Sequence, residues 1–161
     1  MVTVALDTNV VVALLDDRDT WHGTAVALRD ALLETQIQLI YFDCVFNETV
    51  GVIGRRTAEQ KRPEQFDHLL DRLTAMIPPA SITWIGGAVP QWFHEIVRLC
   101  RESHGTLNFH DALIALACQN LAVHFLVSFD SDFDHISWLT RIHDTAPVAT
   151  LARNQTTGES A

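Results

Sequence analysis

Four acidic residues stand where their neighbours predict either exclusion of water or the end of a strand. They are Asp7 in Ala5-Leu6-Asp7-Thr8-Asn9, Glu48 in Phe46-Asn47-Glu48-Thr49-Val50, Asp111 in Phe109-His110-Asp111-Ala112-Leu113, and Asp130 in Val127-Ser128-Phe129-Asp130-Ser131-Asp132. Gathered by a fold, they repel one another: two carboxylates about 5 Å apart repel by roughly 3 kcal/mol at an effective dielectric of 20. Four carry several such terms, comparable with the roughly 5–15 kcal/mol that stabilises a small domain. Protonation or a divalent cation must relieve the strain. Oxygen-only donors, with no paired histidines and no Cys-x-x-Cys, point to Mg²⁺ or Mn²⁺, ions that activate water and stabilise charge on a scissile phosphate.

Each acid also has a plainer explanation. Asp7 can cap a helix, Glu48 can pair with Arg55 two turns on, Asp111 lies in a first helical turn, and Asp130 with Asp132 fits an acidic loop. The case for a metal rests on convergence, and convergence depends on the elements that carry the acids. Val2 to Leu6 is a continuous apolar run with β-branched residues, which predicts a buried strand ending at Asp7. Leu39 to Phe42, Ile82 to Ile85 and Phe125 to Phe129 predict further strands, and Trp138 to Ile142 an edge strand. Helices are predicted after Asp7, over Trp21 to Glu34, from a cap at Asp43 toward Arg56, after Pro63, after Pro90 and over Asn108 to Leu121. The helix after Pro63 turns Phe66, Leu69, Leu70 and Leu73 inward; the one after Pro90 turns Phe93, Ile96, Val97 and Cys100 inward.

Strands alternating with helices predict an α/β fold, a mainly parallel central sheet flanked by helices. In such sheets ligands bind beyond the carboxyl ends of the strands. Asp7 and Asp130 both follow strands and so share that edge. At about 100° per residue, Glu48 falls between Cys44 and Val52, and Asp111 shares a stripe with Ile114, Ala115 and Cys118. Neither lies on a solvated face, and a buried unpaired carboxylate is unfavourable unless something compensates it.

The 161 residues fit one domain, read as 1–144, followed by a polar segment, 145–161, expected to be a disordered tail. Cys44, Cys100 and Cys118 indicate neither a disulfide framework nor a zinc site, and no stretch is apolar enough to span a bilayer. With no basic leader before Asp7, a cytoplasmic setting is expected. The net charge of −9, with Lys61 the one lysine beside ten arginines, argues against broad capture of nucleic acid but leaves room for a locally basic cleft. Arg55, Arg56, Lys61 and Arg62 are the one basic concentration; Arg55 and Arg56 are candidates to hold phosphates near Glu48, or a helix end favourable to its dipole. Trp21, Trp84, Trp92 and Trp138 read as core or dimer-contact residues rather than base-stacking platforms. His110 points away from Asp111 and reads as a packing or surface residue.

Taken together, Leu6-Asp7-Thr8-Asn9, Asn47-Glu48-Thr49-Val50, Asn108-Phe109-His110-Asp111-Ala112-Leu113-Ile114-Ala115 and Leu126-Val127-Ser128-Phe129-Asp130-Ser131-Asp132-Phe133 resemble, in order and spacing, the motifs of PIN-domain nucleases, in particular the VapC-type toxins of bacterial toxin–antitoxin pairs. The resemblance runs from Val2 to about His143. It implies an α/β/α sandwich and metal-dependent cleavage of RNA, with Mg²⁺ or Mn²⁺ as cofactor. It also implies a homodimer and a cognate antitoxin as partner. Asp7, Glu48, Asp111 and Asp130 would be metal ligands or acids just behind them, Asp132 an auxiliary acid, and Asn9 and Ser128 polar supports. Ser128 stands where the family more often has threonine, and the Thr57 to Arg72 segment is longer and more polar than in a minimal member.

Other readings fare worse. Asp130-Ser131-Asp132-Phe133-Asp134 fails as a calcium loop, with His135 in the glycine position and Arg141 in place of the twelfth glutamate. A haloacid-dehalogenase-type phosphatase needs an aspartate where Asn9 stands, and a response-regulator receiver needs a late lysine. A catalytically silent PIN-like scaffold that binds a protein partner, and a non-toxin RNA-processing nuclease, are the alternatives.

Overall fold

The computed structural model describes residues 2–35 and 37–157. Among these residues, five strands form one sheet: β1 (Thr3–Leu6), β2 (Gln38–Phe42), β3 (Ile82–Thr83), β4 (Phe125–Val127) and β5 (Thr140–Ile142), in the order β3-β2-β1-β4-β5. All four pairings are parallel. Seven α-helices among the described residues cover it in an α/β/α sandwich: α1 (Thr8–Leu15), α2 (His22–Glu34), α3 (Asp43–Glu59), α4 (Gln65–Met76), α5 (Val89–Glu102), α6 (Phe109–Asn120) and α7 (Ala146–Thr157). Helix α1 packs on α2 and α3, α3 on α4, and α5 on α6.

The chain leaves β1 toward β2 and β3 on one side and returns to β4 and β5 on the other. The change of direction therefore falls between β1 and β4, whose register pairs Leu6 with Val127. Such a switch opens a crevice at the carboxyl edge of the sheet. Helix α1 is apolar on every side, with Val10 through Leu15 all buried. Helix α6 is buried without interruption from Ala112 to Cys118. A helix that is hydrophobic all round must lie inside the packing, and these two place their N-termini at the crevice as fixed rods.

Several elements depart from the sequence-based expectation. Strand β3 spans two residues rather than four, and Trp84 beyond it is 70% exposed. Phe93 faces outward, because α5 begins at Val89 and its inward stripe runs through Ile96 and Leu99. Asp43 does not cap its own helix. Its carboxylate accepts the amides of Ile85 and Gly86 at 3.0 and 2.9 Å, pinning the connection between β3 and α5. A Cβ on Gly86 would stand 2.8 Å from that carboxylate, so a side chain there would displace Asp43 from its two amides.

The C-terminal segment also differs from its expected form over residues 146–157. Residues expected to be a disordered tail form α7, with Val148 and Leu151 buried in the same core as β1 and α6. Two apolar residues three apart suffice to seat one helical face against α2. The end of that expected tail, residues 158–161, lies outside the described residues. Cys44, Cys100 and Cys118 are free thiols. Among the described residues no helix is long and apolar enough to cross a membrane.

Candidate functional site: an acidic cleft at the sheet edge

The crevice is a cleft of about 370 Å³ into which Asp7, Glu48, Asp111 and Asp130 all project, with Arg55 and Arg56 on its rim. Asp7 arrives at the end of β1 and serves as N-cap of α1. Its Oδ1 accepts the Thr8 amide at 2.7 Å. Its Oδ2 accepts Asn9 Nδ2–H at 2.7 Å and the Ser128 hydroxyl at 2.6 Å. The Ser128 oxygen in turn accepts Asn9 Nδ2–H at 3.2 Å and the Asp130 amide at 3.0 Å, which commits its proton to Asp7. Asn9 Oδ1 accepts the Phe129 amide at 3.1 Å. Asn9 and Ser128 thus tie the first acid to the fourth across the β1–β4 junction.

Asp111 stands at the N-terminus of α6, where it and Asn108 form a capping box. Asn108 Oδ1 accepts the Asp111 amide at 3.1 Å, and Asp111 Oδ2 accepts the Asn108 amide at 2.9 Å. Glu48, on the second turn of α3, accepts the Thr8 hydroxyl at 2.8 Å, so the residue after Asp7 positions the second acid. His110 Nε2 stands 3.9 Å from Glu48 and 2.9 Å from the Cys44 carbonyl, a half-buried neighbour of the cleft rather than a surface residue. Asp130 Oδ1 accepts the Asp132 amide at 2.9 Å; Asp132 contributes this backbone contact and its side chain does not line the cleft. Thr8, Asn108 and Glu59 are polar residues lining the cleft that sequence reasoning gave no role in the site. The Asn-x-x-Asp spacing ahead of an apolar run was a signal for the capping pair; nothing local marked Thr8 as the partner of a residue 40 positions away.

Charge is poorly compensated here. Asp7 is 5% exposed, and burial above all pushes its carboxyl up to about 7. The bonds from Ser128 and Thr8 oppose that rise, while the charges of Asp111 and Glu48 add to it. Burial likewise raises Asp111, with the charges of Asp130 and Glu48 adding and the Asn108 amide and His110 opposing. Among the described residues, no lysine or arginine forms an ion pair with any of the four acids: Arg56 pairs with Asp19 and Arg141 with Asp134. Burial also pushes the thiols of Cys44 and Cys118 up to about 12, which leaves both protonated and poor nucleophiles at neutral pH. The all-carboxylate donor set suits a hard divalent cation. As the side chains stand, no three acids, histidines or cysteines among the described residues are close enough together to share one ion.

None of the curated proteins matches the sequence. Among solved structures, the chain is similar to VapC20 of Mycobacterium tuberculosis, described as a sarcin-ricin loop cleaving toxin. Identity there is 18%, over 83% of this chain and 95% of that one, with a TM-score of 0.62. It is also similar to VapBC2 of Rickettsia felis, described as bound to a DNA fragment from its promoter, at 16% identity over 87% of this chain and 97% of that one, with a TM-score of 0.64. The profile of the PIN domain matches residues 4–139, from the first strand through the acidic motifs to the threshold of the last. The chain belongs to the PIN domain family.

Proposed function

We propose that the protein is a metal-dependent endoribonuclease that hydrolyses RNA phosphodiester bonds at the acidic cleft, and the toxin of a toxin–antitoxin pair. One observation carries the reading: four carboxylates, following β1 and β4 and on α3 and α6, share a cleft in which Asp7 and Asp111 are raised by burial and by the neighbouring acids, and none of the four forms an ion pair with a lysine or arginine among the described residues. A divalent cation would relieve that repulsion. Asp7, Glu48, Asp111 and Asp130 would hold Mg²⁺ or Mn²⁺. When bound, such an ion supplies positive charge to the scissile phosphate and makes water a better nucleophile at neutral pH.

The chain's own residues do the positioning. Ser128 and Asn9 fix both lone-pair directions of Asp7 Oδ2, Thr8 holds Glu48, and the capping box holds Asp111. Arg55 and Arg56 on the rim would hold flanking phosphates. The toxin assignment draws on the two solved relatives, one described as cleaving the sarcin-ricin loop and the other as a VapBC complex on its promoter DNA. By that likeness the partners are an RNA substrate and an antitoxin. A homodimer is supported by the exposed rings of Phe93 and Phe109, which meet at 6.3 Å on the outer face.

The test is RNA cleavage with Mn²⁺, with and without EDTA, by the wild-type protein and by an Asp7→Asn, Asp111→Asn double variant. EDTA-sensitive fragments from the wild type and none from the double variant are expected, along with loss of Mn²⁺ binding by calorimetry. Full cleavage by the double variant refutes the assignment; no cleavage by the wild type across several RNAs favours a silent scaffold. Growth arrest on expression, relieved by a small adjacent reading frame, would separate toxin from housekeeping nuclease.

A further inference from the structure

A second cleft, of about 380 Å³, adjoins the acidic one and shares Asn9, Arg56 and Asp130 with it; Asp19, Trp21 and Phe129 continue its wall. Trp21 and Phe129 form a plate there, with ring centroids 4.7 Å apart and planes 12° from parallel. Trp21 is 49% exposed, so it is no core residue and, stacked on Phe129, it offers its other face outward.

The plate is built rather than incidental. Asp19, whose side chain is 9% exposed, accepts the Trp21 amide on Oδ1 at 2.8 Å and Arg56 Nη1–H on Oδ2 at 2.6 Å. One carboxylate therefore fixes both the Trp21 backbone and the Arg56 guanidinium. On the other side, Asn9 accepts the Phe129 amide at 3.1 Å while donating to Asp7 at 2.7 Å. A single side chain thus sets the plate's distance from the acidic cleft.

An aromatic plate beside a fixed guanidinium matches one ligand chemistry well. Unpaired nucleobases stack on such rings whatever their sequence, and arginine suits the attached phosphate. A base inside a duplex is already stacked on its neighbours and offers no free face. We infer that this second cleft is a base-binding subsite for single-stranded RNA, seating a nucleotide next to the scissile bond on Trp21, with Phe129 as backing and Arg56 as the phosphate contact. The inference rests on the acidic cleft being the place of cleavage.

The test uses the full chain and single-stranded RNA carrying 2-aminopurine, whose fluorescence is quenched on stacking, titrated with Mn²⁺ and separately with EDTA. Trp21→Phe keeps a ring and should bind within about threefold of wild type. Trp21→Leu keeps apolar bulk without a π face. It should weaken binding about 5- to 150-fold and lose the quenching, with duplex RNA unaffected. The subsite is overturned by a wild type that never quenches, by Trp21→Leu binding like wild type, or by equal losses for Phe and Leu. It is also overturned if Trp21→Leu alters only the oligomer mass in light scattering, which would make Trp21 a subunit contact. Cleavage is scored separately: lost quenching with EDTA-sensitive cleavage intact removes the subsite alone. Quenching by a protein that cuts no RNA removes the cleavage reading and keeps the plate.

Discussion

Replacing Asp7 by asparagine removes a charge and changes almost nothing in shape, so its consequences can be worked out in sign and size. The Asp7 carboxyl rises from its ordinary 3.8 to about 7 on folding, chiefly because burial disfavours the ion. A carboxyl whose folded value lies above its unfolded one stabilises the fold fully only below the unfolded value. That contribution is lost as pH rises toward the folded value, and it is flat beyond. Linkage then gives a loss of about 2–3 kcal/mol between pH 5 and pH 8 from this group alone. In a protein of this size that corresponds to roughly 4–12 °C in melting temperature.

The Asp7→Asn variant lacks this slope. It introduces a second effect, because an amide NH₂ in place of Oδ2 would face two donors, Asn9 Nδ2–H and the Ser128 hydroxyl. An unsatisfied buried donor costs about 1–3 kcal/mol, but equally at both pH values. The difference between wild type and variant, measured by thermal or urea denaturation at pH 5 and pH 8 in EDTA, therefore isolates the charge. Wild type should lose ground to the variant as pH rises, by about the 2–3 kcal/mol above. Mn²⁺ at pH 8 should raise the melting temperature of wild type and leave the variant nearly unmoved. A wild-type-minus-variant difference identical at the two pH values would refute the claim that Asp7 is ionised at a free-energy cost in the folded state.

Three further outcomes follow from the packing. Asp111→Ala should abolish cleavage and also lower stability by about 1 kcal/mol, because it removes half of a capping box; Asp111→Asn should abolish cleavage at a smaller cost, and urea denaturation separates the two. Asp43→Ala strands the amides of Ile85 and Gly86 and should cost about 1–3 kcal/mol with cleavage retained, read from urea midpoints and RNA fragments together. Leu151→Ala should cost about 2–4 kcal/mol if α7 belongs to the core, whereas a dispensable tail would leave the melting temperature unchanged.

The sheet was legible because β1 and β4 are short, largely apolar runs, with Asp7 directly after the first and Asp130 three residues beyond the second. Helix angle served Asp111 well, since its stripe-mates Ile114, Ala115 and Cys118 lie in the core; for Glu48 it served less well, because Cys44 and Val52 on either side of it are only half-buried and of the three apolar neighbours only Val45 is in the core. What stayed hidden depends on distance along the chain. The Asp19–Arg56 pair spans 37 residues and the Asp43 bonds span 42 and 43; both acids look locally like turn or cap residues, and nothing near them names their partners. Trp21 was read as a core or dimer-contact residue; it is half exposed, and its stack on Phe129 and the bond from its amide to Asp19 depend on partners that its own residue type does not name. Helix α7 was missed because its average composition is polar, although packing needs only Val148 and Leu151 on one side. Averages describe solubility, while single positions determine docking.

Strand β1 lies in the middle of the sheet, hydrogen-bonded on one edge to β2 and on the other to β4, and the Asp7 amide itself bonds the Val127 carbonyl at 3.0 Å. No fraying of an outer strand or helix end can release it. The backbone amides of Ala5, Leu6 and Asp7 should therefore exchange with deuterium only through whole-molecule opening, on a timescale set by global stability. Partial denaturation then cannot yield a population with loosened Asp7 and an intact sheet. The protein's capacity to act should vanish in step with its last protected protons, leaving no half-active intermediate for heat or a protease to trap.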